Sequence, residues 1–195
     1  MNHLAHLFLS QSDTNLLVGN YIADHVKGKQ INEFSEGVQR GIIMHRGIDQ
    51  FTDEHKIVQI SKERLYPKYH KYAAVLIDMF YDHVLAKNWS KYSPIQLESF
   101  TKSAYQILGS QVAVFPHSAQ LMYAHMFKYD WLSNYANLEG MQKALNGLSR
   151  RATFVSKMEE AILDLEKDFN LYEAEFEAFF PEIIEYANTW TKAYE

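Results

Sequence analysis

Cysteine is absent from the 195 residues, which excludes disulfides and thiolate-ligated metals and agrees with a reducing compartment. Any metal the chain holds must be bound through nitrogen and oxygen. Proline and glycine are scarce, at four and eight, so long segments run without a breaker. No stretch approaches the roughly 20 apolar residues that span a bilayer, and Met1 to Ser10 has no basic residues ahead of its apolar ones, so neither a membrane helix nor a signal peptide is expected. The expectation is a soluble, cytoplasmic protein.

What is present is a large apolar complement, 47% of residues with 14% aromatic. That is enough for one sizeable core in a single domain, 1–195, without staples. Apolar residues recur mostly at spacings of three and four rather than two, so the fold class reads as all-α. Charge is unevenly placed: residues 1–100 carry 11 basic and 11 acidic side chains, residues 101–195 carry 8 and 13. Ten carboxylates between Lys157 and Glu185 face only Lys157 and Lys167, which would repel a phosphate backbone and argues against nucleic acid as a partner. The cations that could meet an anionic partner are scattered, at Lys27, Lys29, Arg40, Arg46, Lys143 and the pair Arg150-Arg151.

Along the chain, an apolar opening from Asn2 to Leu9 precedes a helix expected over 14–26, capped by Ser12 or Asp13 and ended by Gly28. A third helix is expected from about 32–35 to Phe51, and a fourth over 56–66, broken by Pro67. The central helix, about 72–89, contains neither Pro nor Gly. Ser93-Pro94 has the order of a cap and first helical position, predicting a helix from Pro94 to Leu108 that Gly109 ends. Short helices are expected over 118–127, 128–137 and 139–149, then a long one over 152–179 with Phe154 on its apolar face. Pro181 marks a kink or a fresh start before a last helix, 182–193.

Four places carry candidate ligands. On the central helix, Asp78 and Asp82 lie one turn apart, with His83 toward the stripe of Leu76, Met79 and Phe80. Carboxylates bordering a surface meant for burial need a counter-charge, a hydrogen-bond network or a cation. His45 and Asp49 are i, i+4 on the third helix, Asp24 follows Asn20 by one turn on the second, and the opening segment offers His3 and His6. Each taken alone is more often a satisfied core or surface pair than a ligand. Their coincidence on separate apolar helix faces points to a divalent ion such as manganese, iron(II) or magnesium, which accept mixed His and Asp sets. Such a set suits metal-assisted hydrolysis: the ion polarises a phosphoryl oxygen and lowers the pKa of water, while a nearby Arg or Lys stabilises the phosphoryl charge. A di-iron carboxylate bundle is disfavoured, because no Glu-x-x-His motif occurs.

Met-Asn-x-Leu-Ala-His-Leu at the start, Gly19-Asn20-x-x-Ala23-Asp24, Gly41-Ile42-x-Met44-His45-Arg46-x-Ile48-Asp49-x-x-Thr52-Asp53, Asp82-His83-x-Leu85-x-x-x-Trp89 and Asn146-Gly147-x-x-Arg150-Arg151 follow one another in order and spacing. Together they resemble the acyl carrier protein phosphodiesterase family, over about residues 1–185. That family is similar to the HD-domain phosphohydrolases, which implies an all-α, metal-dependent fold. It also implies removal of the 4'-phosphopantetheine arm from the serine of holo acyl carrier protein. Positions matching the family motifs are His6, Asp24, His45, Arg46, Asp49, Asp82 and His83, with Asp78 just upstream. From residue chemistry, His45, Asp49, Asp78, Asp82 and His83 are the first-choice metal shell, with Asp24 and His6 as further ligands or orienting groups. Arg46 is the expected phosphate clamp and Asp24 or Asp78 the general base. Lys27, Lys29, Arg150 and Arg151 would form a basic rim for an acidic carrier. Where an HD domain has an adjacent His-Asp pair, this chain has only Asp24-His25 and Asp82-His83, in the reverse order. Two other readings compete: an HD-type enzyme acting on a nucleotide or other small phosphoester, and a helical binding module whose His and Asp clusters hold no metal.

Overall fold

The computed structural model describes residues 1–11 and 13–192, with side chains described as far as Trp190. Ser12 as a cap and the end of the last expected helix therefore lie outside the described residues. Those residues form eleven α-helices and no strand, as the apolar spacing predicts. In order they are α1 His3–Leu9, α2 Thr14–Ile22, α3 Glu36–Glu54, α4 Lys56–Tyr69, α5 Ala73–Lys87 and α6 Leu97–Gln111, then α7 His117–Lys128, α8 Trp131–Asn134, α9 Leu138–Arg151, α10 Ala161–Lys167 and α11 Phe169–Lys192. Two 3-10 segments, Ala23–His25 and Gly28–Glu33, join α2 to α3. No described helix is long and apolar enough to cross a membrane.

The central helix is the axis of the molecule. From Leu76 to Ala86 every α5 side chain is buried except that of Asp78, the pattern of a helix enclosed on all sides. Around it pack α1, α4 and α11. The aromatic content is concentrated where α11 meets the core: Phe176 stacks on Phe180 at 4.5 Å, and Phe8, Trp89, Tyr92 and Phe100 continue the cluster. Part of the late acidic stretch is neutralised by earlier helices, Arg64 Nη1 donating to Glu175 Oε2 at 2.9 Å and Lys68 pairing with Asp164 at 3.0 Å.

Several boundaries differ from the sequence expectation. Neither Pro67 nor Pro181 breaks its helix; each lies inside, in α4 and α11. The carbonyls they leave unpaired belong to the exposed residues Glu63 and Glu177, so water can satisfy them. Around Pro181, Phe176, Phe179, Phe180 and Ile183 are fully buried; at about 1.5–3 kcal/mol each they outweigh a propensity cost of about 3 kcal/mol. α6 begins at Leu97, not Pro94, because Ser93 Oγ accepts the N–H of Ile95 in a turn. Gly109 sits within α6, its missing Cβ leaving room for the Tyr123 hydroxyl. The expected helix over 152–179 is interrupted twice, by an irregular stretch ending at Lys157 with φ +54° and again at Asp168. Phe154 is exposed rather than inward-facing, as is Val155, so neither large apolar residue of the first break is held in the core.

Candidate metal centre and the cavity beside it

The centre is assembled where α1, α2 and α3 meet. α2 packs more extensively on α3 than on any other element, and the reason is a pair of glycines. A Cβ on Gly19 would stand 2.2 Å from the Val38 carbonyl oxygen and 2.6 Å from Gly41 Cα, and one on Gly41 would stand 2.5 Å from the Leu16 carbonyl oxygen. Backbone therefore meets backbone at this crossing. One residue beyond Gly19 is Asn20, and one turn beyond Gly41 is His45, so the close approach brings both to α1 and His6.

His6, His45 and Asp49 each offer one ligand atom, and these atoms all lie within 4.8 Å of one another. His6 and His45 stack face to face, centroids 3.9 Å apart and planes 15° from parallel. His6 Nε2 is 3.0 Å from Asp49 Oδ1, and His45 Nε2 is 3.1 Å from Asp49 Oδ2 and 3.3 Å from Asp24 Oδ1. The α-ammonium of Met1 stands 3.6 Å from Asp49 Oδ1 and 3.1 Å from Asp78 Oδ1, linking Asp78 to the edge of the group.

Hydrogen bonds set the His6 tautomer. Ser10 Oγ donates to the His6 carbonyl at 2.8 Å and accepts Asn20 Nδ2–H at 2.8 Å. Asn20 thus turns Oδ1 toward His6 Nδ1, 2.9 Å away, which must carry the proton. The other nitrogen, Nε2, keeps its lone pair. Burial and the neighbouring His45 lower the His6 pKa to about 4, so at neutral pH a ring lone pair faces a carboxylate oxygen at 3.0 Å. Two acceptors in contact need a cation between them, and mixed nitrogen and oxygen donors suit a borderline divalent ion.

His45 is the cationic partner in the absence of an ion. Burial opposes its charge, but Asp24 and Asp49 outweigh burial and hold its pKa up, at about 9. The attraction is one of proximity, because neither His45 ring nitrogen makes a hydrogen bond of acceptable geometry. Asp49 shows the converse: burial works against its carboxylate, and His45, His6 and the α-ammonium still hold its pKa well below the usual range.

The expected shell thus divides. His6, His45, Asp49 and Asp24 converge, and Asp78 reaches the edge through the α-ammonium. Asp82 is fully buried and gives both oxygens to backbone, accepting the Leu4 N–H at 2.8 Å and the Ala5 N–H at 3.1 Å. His83 faces the other way, Nδ1–H donating to the Tyr135 carbonyl at 2.7 Å. His6, expected only as an auxiliary, is at the heart of the cluster. Asn20 was absent from the expected site; its one-turn spacing from Asp24 is the signal that could have found it. Arg46 is exposed, Nη2 donating to the Val26 carbonyl at 3.0 Å, two residues past Asp24. Lys27 and Lys29 are exposed at and beside the second 3-10 segment, and Arg150 and Arg151 are exposed at the end of α9.

A cavity of about 560 Å³ opens beside His3, one turn from His6, walled by Asn2 and His3 at the start of α1, Met79 of α5, Tyr135 beyond α8, and Gly147 and Arg151 of α9. His3 links cavity and cluster: it lies one turn before His6 and lines the cavity, and its pKa is lowered to about 4 chiefly by burial. Asn2 Nδ2 donates to Met79 Sδ at 2.8 Å, fixing that wall.

Comparison with known proteins agrees with the motif order. A family model described as acyl carrier protein phosphodiesterase matches residues 1–183. The acyl carrier protein phosphodiesterase of Photorhabdus laumondii is 32% identical, covering 96% of this chain and 95% of that protein. Those of Serratia proteamaculans and Escherichia coli are 29% and 31% identical, each over 96% of this chain and over 97% and 98% of the relative. No solved structure matches, so the expected kinship with the HD-domain fold rests on sequence alone.

Proposed function

The chain belongs to the acyl carrier protein phosphodiesterase family, and on that premise we propose that it hydrolyses holo acyl carrier protein to the apo carrier and 4'-phosphopantetheine. It acts as a phosphoric diester hydrolase: water adds to phosphorus, the bond to the carrier's serine oxygen breaks, and that oxygen takes up a proton. His6, His45 and Asp49 would hold a divalent ion, manganese in first place and iron(II) or magnesium as alternatives, with Asp24 as a fourth donor. Such an ion supplies Lewis-acid polarisation of the phosphoryl oxygen and a lowered pKa for water. The observation that carries the reading is the convergence of His6, His45 and Asp49, with His6 Nε2 3.0 Å from Asp49 Oδ1 and Asn20 Oδ1 on the other ring nitrogen, an arrangement that a cation would satisfy.

The chain's own groups have separate tasks in this reading. Asn20 holds the His6 tautomer with the free nitrogen inward. Asp78, beside the three-residue group and not part of it, is the carboxylate left to take a proton from the attacking water. Arg46, anchored near Asp24 at the Val26 carbonyl, keeps a guanidinium at the rim for the phosphodiester charge. Lys27, Lys29, Arg150 and Arg151 steer the acidic carrier to that rim.

The test is incubation of the purified protein with holo acyl carrier protein and manganese, with and without EDTA, following the carrier's mass. Loss of the phosphopantetheine mass, blocked by EDTA and by Asp49→Ala, is expected. An unchanged carrier with manganese bound would move the reading to a small phosphoester; an unchanged carrier with no metal bound would leave a helical binding module.

A further inference from the structure

We infer that the cavity between the start of α1 and α9 is the binding site for the pantetheine arm of the substrate, with Gly147 as the residue that keeps it open. The inference takes the identity of the ligand from the proposed reaction, and its location from four features of the cavity.

The first is position. Asn2 and His3 line the cavity, and His3 is one helical turn from His6, so a phosphodiester at the His6, His45 and Asp49 cluster would have the cavity within one turn of α1. The second is chemistry. Pantetheine is an uncharged chain of two amides separated by short methylene runs, with a dimethylated carbon and a hydroxyl near the phosphate. The walls match it, with the side-chain amides of Asn2, Asn134 and Asn146 set among Met79, Trp131 and Tyr135. A pocket of several hundred Å³ with apolar walls and a few placed polar groups is the usual form of a small-molecule site.

The third feature is charge. The chain carries net charge -5, yet the cavity lining holds Lys143, Arg150 and Arg151 and no carboxylate. Lys143 is paired with Glu139 at 2.7 Å, which leaves the two arginines to meet anions. Arg151 is exposed at the end of α9 and lines the cavity together with His3 and Tyr135, so its charge borders the space where the phosphate end of the arm would lie.

The fourth is Gly147 itself. α9 contains two glycines with opposite surroundings. A Cβ on Gly140 would stand 2.1 Å from the Asn134 carbonyl oxygen, so packing requires glycine there. A Cβ on Gly147 would meet nothing within 4 Å, and its φ is not in the positive range. Glycine weakens a helix interior, and neither backbone nor packing asks for it at 147. What it preserves is width in the cavity.

The experiment uses free pantetheine, which lacks the phosphate, with the wild type, Gly147→Leu and Ala144→Leu. Both substitutions favour helix; the one at 147 projects toward open space and the one at 144 adds bulk to the cavity lining, and thermal melts verify that each variant is folded. Calorimetric titration should show pantetheine binding to the wild type and at least a tenfold weaker affinity in each variant, with KM for the holo carrier rising in parallel. Undiminished pantetheine affinity in both folded variants, or no pantetheine binding by the wild type, would overturn the arm site. A wild type that binds pantetheine through this wall yet leaves the holo carrier uncut would refute the proposed reaction and retain the site. Carrier cleavage with equal KM in wild type and both variants would do the reverse.

Discussion

Asp82 of α5 caps α1 from outside it: Oδ2 accepts the N–H of Leu4 at 2.8 Å and Oδ1 the N–H of Ala5 at 3.1 Å. The residue that precedes α1, Asn2, contributes no capping bond of its own. Two of the donors that a helix start leaves unpaired are therefore satisfied by a carboxyl group 77 and 78 positions away. The core helix thereby fixes the position of His6.

Replacing Asp82 by Asn keeps one acceptor and sets an N–H against the other backbone donor. Leaving that buried donor unpaired costs about 1–3 kcal/mol. Urea unfolding near pH 5 should show Asp82→Asn less stable than the wild type by that amount; equal stability would mean that α1 does not depend on this cap.

The same residue predicts a pH dependence. Burial pushes the Asp82 carboxyl up to about 7, against the pull of the Leu4 and Ala5 N–H groups and the α-ammonium and with a further push from Asp78. An unfolded Asp titrates near 4. Between about 4 and 7 the folded chain retains a proton that the unfolded chain has released, so this group's contribution is complete below about 4 and declines as pH rises through that window. The stability advantage of the wild type over Asp82→Asn should narrow across it, read from melting temperatures in matched buffers. A gap that widens with pH would reverse the sign assigned here.

Asn20→Ala removes the acceptor that holds His6 in the Nδ1–H tautomer. In the proposed site His6 would ligate the ion, and loss of such a partner behind a ligand typically weakens binding by about 10–100-fold. Manganese titration of the folded variant should show that loss, and unchanged affinity would detach Asn20 from the site.

Gly19→Ala and Gly147→Ala should shift stability in opposite directions. The new methyl at 19 runs into the Val38 carbonyl oxygen and Gly41, neither of which can turn aside; overpacking of this kind costs about 1–3 kcal/mol or more, and manganese affinity should fall with it as α2 and α3 part. The methyl at 147 enters open space and removes a helix-interior glycine, a gain of about 0.5–1 kcal/mol. Chemical denaturation of the pair checks both signs.

The helices themselves were legible because burial repeats at helical spacing, and α5 most of all, since its apolar residues encircle it. Chain breaks were less so. Pro67, Pro181 and Gly109 each carry a local penalty that the sequence displays, while what offsets it at Pro181 and Gly109, the burial of Phe176, Phe179, Phe180 and Ile183 and the Tyr123 hydroxyl against Gly109, depends on how the helices pack. At the site, the i, i+4 pair His45 and Asp49 was readable within α3, and His6 and Asp24 were readable as candidate ligands on their own segments and ranked as auxiliaries from residue chemistry. Asp82 and His83 were drawn into the expected shell because a buried carboxylate and imidazole need partners, which is correct, but nothing local says whether the partner is an ion or a backbone N–H.

The sequence by itself determined the all-α class, the buried central helix, the restriction to nitrogen and oxygen ligands and membership of a family by ordered motifs, since all of these depend on composition, period or linear order. Only the tertiary structure decided which polar residues face one another. The Gly19–Gly41 crossing brings Asn20 and His45 onto His6, and α1 hangs from Asp82. Both arise from backbone approaching backbone or side chain across long separations, a relation that no local spacing encodes.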